Sequence, residues 1–111
     1  MKNSLHEKIE VIESGYEFLL AFAAQGRETD KGLEVRSTLA NMSEAAAAVS
    51  GLLGDGDFAD VVREDAKKSR AAISLVLSQV KISSELVDNL NISIHLRALL
   101  TDLFLLSETS R

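Results

Sequence analysis

Two side chains near the C-terminal end of the chain, His95 and Arg97, have the types and neighbours that could do chemistry. On a helical wheel His95 shares a face with Asp88, Asn91 and Asp102, spaced −7, −4 and +7 from it. An imidazole held between carboxylates could move a proton or accept a phosphoryl group. The same stripe is also what a surface helix needs for its wet face. Arg97 falls on the opposite side, between Leu90, Leu100 and Phe104, where an apolar residue is expected. A guanidinium buried there needs a carboxylate or carbonyl partner. Glu10, Glu13 or Glu17, which decorate the first helix, could supply one. It could also receive a small anionic ligand in a pocket shared with Tyr16, or snorkel along its stem to water. Arg97, Tyr16 and His95 are therefore the candidate ligand-binding residues.

Other chemistries lack their residues. Histidine phosphotransfer modules carry His, any residue, Leu, Lys, Gly. Here the run is His95-Leu96-Arg97-Ala98-Leu99, with the basic residue one place early and no glycine. Phosphotransfer at His95 thus stands as a remote third reading. A carboxylate metal site in a helical bundle needs Glu three residues before His, and neither His6 nor His95 has one. The segment Asp55-Gly56-Asp57-Phe58-Ala59-Asp60 has Ala59 and Ala66 where a calcium loop needs ligands. No metal, cofactor or catalytic residue is assigned. The chain has no Cys, so disulfide and thiolate chemistry are excluded.

Charge narrows the partners. A net charge of −5 argues against nucleic acid, which calls for a dense basic face. Arg63, Lys67, Lys68 and Arg70 are interleaved with Asp60, Glu64 and Asp65, the pattern of an ion-paired, solvated helix face. The apolar run from Glu85 to Leu106 is punctuated by Asp88, Asn89, Asn91, His95, Arg97 and Asp102 too closely for lipid. Met1 to Leu5 lacks the apolar stretch of a signal peptide. The expectation is a cytoplasmic protein with no membrane or nucleic-acid partner.

The elements that must position these residues are helical. At 111 residues, 46% of them apolar, with no Pro and few aromatics, the chain reads as one all-α domain. A first helix over about 4–25 carries Leu5, Ile9, Ile12, Tyr16, Leu19 and Ala23 in a heptad-like seam, with Ser4 and Glu7 as a capping box and Gly26 at its end. A polar loop spans Gly26 to Gly32. A second helix repeats the pattern in Val35, Leu39, Met42, Ala46, Val49 and Leu53, and its small residues Ala45 to Ala48 suit close packing. Gly15, in the middle of the first helix, would likewise admit a close neighbour. A third helix begins near Phe58 with Asp57 as N-cap, along the stripe Phe58, Val62, Ala66, Ser69, Ile73, Val76 and Val80. Ser83 or Ser84 is the best N-cap for a fourth. One long kinked helix in place of the third and fourth is the alternative, and the alternation of Ile92, Ile94 and Leu96 is outweighed by helical flanks.

The fourth segment is apolar nearly all round, in Leu86, Val87, Leu90, Ile92, Ile94, Leu96, Leu99, Leu100, Leu103, Phe104, Leu105 and Leu106. Such a helix must be covered on several sides. The expected architecture is an antiparallel up-down-up-down four-helix bundle that dimerises through helix faces. The interface residues expected are Ile92, Leu96, Leu99, Leu103 and Leu106, with Phe18 and Phe22 as a second strip beside Val11. The function expected is a non-catalytic assembly module acting as a homodimer, with room for another protein partner. The alternative is an anion-binding or catalytic bundle with a pocket near Arg97.

Overall fold

The heptad spacings and the absence of Pro produce helices wherever expected, and one more besides. A computed structural model describes residues 4–109 as five helices: α1 (Ser4–Ala23), α2 (Val35–Leu52), α3 (Asp57–Leu77), α4 (Ser84–Asn91) and α5 (Ile94–Thr109). No strand occurs among the described residues. The expected four-helix count is corrected because the last apolar segment breaks at Ile92 and Ser93, where α4 and α5 meet at 54°. No single helix among the described residues is long and apolar enough to cross a membrane.

The seams form one core. Ile9, Ile12 and Leu19 of α1 are buried with Val35, Leu39, Met42, Ala46 and Val49 of α2 and Val62, Ala66, Ile73 and Val76 of α3. Val87 and Leu90 of α4 and Leu96, Leu99, Leu100 and Leu103 of α5 complete it. α4 packs chiefly on α1 and α5 chiefly on α3, so the elbow between them lays one short arm on each. Gly15 sets how closely α1 meets α2. A Cβ at that position would run into the Met42 side chain, with Sδ only 2.6 Å away. The ends of the expected α3 stripe lie outside the core: Phe58 is partly exposed, and Val80 is beyond the last turn and almost fully exposed.

Polar side chains fasten the ends. Arg36, in the first turn of α2, donates to the carbonyls of Leu77, Gln79 and Val80 at the end of α3 and to Asp30. Arg63, near the start of α3, donates to the carbonyls of Ser50, Leu53 and Gly54 at the end of α2. Each of these helices therefore begins against the other's end and satisfies its orphan carbonyls. The Ser84 hydroxyl donates to the Phe22 carbonyl at the end of α1, 2.6 Å away, and accepts from the Arg27 amide at 2.8 Å. Ser83 caps α4 as expected, accepting from the Leu86 amide.

Candidate interaction surface on the fifth helix

Ser93 opens α5, its hydroxyl accepting from the Leu96 amide at 3.3 Å. The break just before it resets the helical phase, and this decides where each candidate residue lies. Drawn as one helix, the segment sets Arg97 beside Leu90. In the structure Leu90 belongs to α4, and Arg97 is exposed. Of the readings open to Arg97, the structure has the solvent-reaching one. Among the described residues no ion pair holds its guanidinium.

The same break scatters the His95 stripe. Asp88 and His95 are exposed, while Asn91 and Asp102 are buried. His95 is anchored through its backbone, its carbonyl accepting from the Ser69 hydroxyl at 2.9 Å. Asp102 turns to Asp65 of α3 instead of to the imidazole. Burial, then the hydrogen bond and the negative charge of Asp65, push the Asp102 carboxyl up to about 7. The Asn91 side chain has no hydrogen-bond partner at either amide atom. These buried polar groups were not legible as such, because a wheel drawn through the break places them in water.

The expected interface residues divide in two. Phe22, Leu96, Leu99 and Leu103 are spent on the chain's own core. Phe18 and Leu106 pack partly against it, and Ile92 is 60% exposed. What remains outside α5 is a different face. Ile94 is 75% exposed and Leu105 51%, with Ala98 and Thr101 between them at spacings of 4, 3 and 4. These four residues make one stripe along the helix. Thr101 turns its hydroxyl back to the Arg97 carbonyl, 2.9 Å away, so it presents little polar surface. In size the stripe reads large, small, small, large.

Of the depressions among the described residues, two touch the candidate residues. One, of about 340 Å³, lies between α1 and α5 and is lined by Glu13, Tyr16, Glu17, Leu100 and Phe104. Tyr16 is half-buried here and Phe104 half-exposed. Burial, then the charges of Glu10 and Glu17, raise the Glu13 carboxyl above its ordinary range. Walls of this sign do not suit the small anion anticipated beside Tyr16 and Arg97. The other, about 570 Å³, runs between α1 and α2, with Val11 and Phe18 on its wall and Gly15 in its lining. No group of His, Asp and Glu among the described residues is arranged to hold a metal ion. The chain matches no protein-family model, no curated protein and no solved structure.

Proposed function

We propose that this chain is a non-catalytic assembly module that pairs with a second copy along the outer face of α5. The observation that carries the reading is the stripe Ile94, Ala98, Thr101 and Leu105, left outside a helix whose inner face is already buried. A soluble monomer gains nothing from two large, mostly exposed apolar side chains aligned on one stripe. Paired antiparallel across a two-fold axis, the stripe matches itself. Ile94 meets Leu105 of the partner subunit at both ends, and the small Ala98 and Thr101 let the two backbones approach at the axis. Such isologous self-complementarity is the commonest way for a chain to form a closed dimer. Exposed Ile92, at the elbow, and Phe104, beside the stripe, extend the apolar area available.

Light scattering over a dilution series from tens of micromolar downward tests this reading. The native chain is expected to have twice the monomer mass, and Ala98→Glu to be monomeric with unchanged helical circular dichroism. A native chain that stays monomeric at the highest concentration would overturn it, as would an Ala98→Glu variant that still pairs.

A further inference from the structure

The cleft between α1 and α5 has an apolar lining and an acidic rim. Tyr16, Leu100 and Phe104 supply the apolar surface, and Glu13 and Glu17 supply the carboxylates. Two aromatic rings and two carboxylates in one depression favour a flat, delocalised cation, which can stack on a ring while donating to an oxygen. Arg97 is such a cation, exposed on the same flank of α5 as Leu100 and Phe104, three and seven residues before them. It does not line its own protomer's cleft.

We propose that Arg97 docks in the α1–α5 cleft of the second copy, so that each protomer supplies the cation for the other's acidic site. This rests on the α5 pairing described above and adds its specificity. With Ile94 opposite the partner's Leu105, the two-fold axis passes between positions 99 and 100. Arg97 then stands level with position 102 of the partner subunit. In an antiparallel two-fold pair, like flanks face one another. Arg97 therefore approaches the flank that carries Leu100 and Phe104, at a height between them. That flank is the α5 wall of the partner's cleft. Charge complementarity selects the occupant: a protein of net charge −5 places a guanidinium with no ion pair among the described residues opposite carboxylates that already repel one another. The crowding that raises Glu13 is relieved when a cation arrives, which favours the pair over the separated subunits.

The experiment is a charge swap read as the dimer dissociation constant. Arg97→Glu and Glu17→Arg are each expected to weaken pairing about tenfold or more. The double variant, which restores opposite charges in reversed sense, is expected to recover most of that loss. Both positions are exposed, so folding is retained and is checked by circular dichroism. Arg97→Gln removes the charge without repulsion and is expected to fall between native and Arg97→Glu. If the chain pairs and Ala98→Glu abolishes pairing, yet Arg97→Glu leaves the constant unchanged or the double variant shows no recovery, the cleft assignment fails while the α5 interface stands. If the native chain does not pair at all, both fail.

Discussion

The carboxyl of Asp102 on α5 meets that of Asp65 on α3, where the two helices pack together. Asp102 is 7% exposed, and its Oδ2 is buried without a hydrogen-bond partner. Two carboxylates in this position cannot both ionise cheaply, so a proton is retained and one acid donates to the other.

The pH dependence follows from that proton. Folding raises Asp102 from an ordinary 3.8 to about 7, so the native state holds a proton that the unfolded chain has already released in between. Stability from this group is greatest at the acid end of that window and falls as pH rises towards the folded value. Asp102→Asn removes the titration. Above neutrality the variant is expected to be more stable than the native chain by about 2 kcal/mol, with the advantage shrinking in acid. Urea unfolding at a series of pH values measures it. An advantage that does not change with pH would contradict the shared proton.

Asn91 gives a second stability test. It is 2% exposed, and its side-chain amide makes no hydrogen bond. A buried amide without partners costs about 1–3 kcal/mol relative to a satisfied one. Leu is close in size and has nothing to satisfy. Asn91→Leu is therefore expected to raise the unfolding free energy by about 1 kcal/mol. A loss of similar size in denaturant titration would show that the amide serves the elbow between α4 and α5.

Asp102 and Asn91 also mark where the sequence is hard to read. Periodicity located the α2 seam residue for residue from Val35 to Val49, because each of those positions is apolar and the helix is unbroken. The cap of α4 was visible to within one position: Ser83 and Ser84 both suit the role, and Ser83 fills it while Ser84 is turned to the end of α1. From Asp57 onward no Gly or Pro marks a break. At the elbow α4 packs on α1 and α5 on α3, and the one local mark of it is Ser93, a cap-type residue that the apolar run around it hides. Every wheel position past that elbow shifts with it, which moves Arg97 out and Asp102 in. The clasp by Arg36 was missed for a related reason. Its partners are carbonyls forty or so residues away, and any residue type can supply those.

Gly15 tests the contact between α1 and α2. In an exposed helix, Gly→Ala gains about 1 kcal/mol from propensity. Here the added methyl would overlap Met42, which is 1% exposed and cannot swing into solvent. Gly15→Ala is expected to be net destabilising by about 1–2 kcal/mol, as overpacked cores are. Met42→Ala alone should also destabilise, through its cavity. Combining the two should cost less than their sum, since the new methyl fills space that Met42 vacates. Strict additivity in a double-mutant cycle would rule out the direct contact.

Arg36 tests how the loops are held. Its guanidinium donates to three carbonyls just past and at the end of α3, while Asp30 accepts from it at 2.9 Å and from the Ile82 amide at 2.9 Å. Burial would raise the Asp30 carboxyl, but the amide hydrogen bonds and Arg36 outweigh it and hold the pKa below its ordinary value. Stability from Asp30 is thus present at neutral pH and is lost as pH falls through its lowered pKa. Arg36→Ala removes the cap on α3 and one partner of Asp30 together, and about 2 kcal/mol of destabilisation is expected. Arg36→Lys keeps the charge but cannot reach several acceptors with a planar fork, so it should recover less than half of that loss. Hydrogen exchange locates the effect. Amides of the last turn of α3 and of Ile82 should lose protection in Arg36→Ala, while those in the middle of α2 keep theirs. If protection fell evenly along the chain, Arg36 would be supporting the whole core instead of clasping this corner.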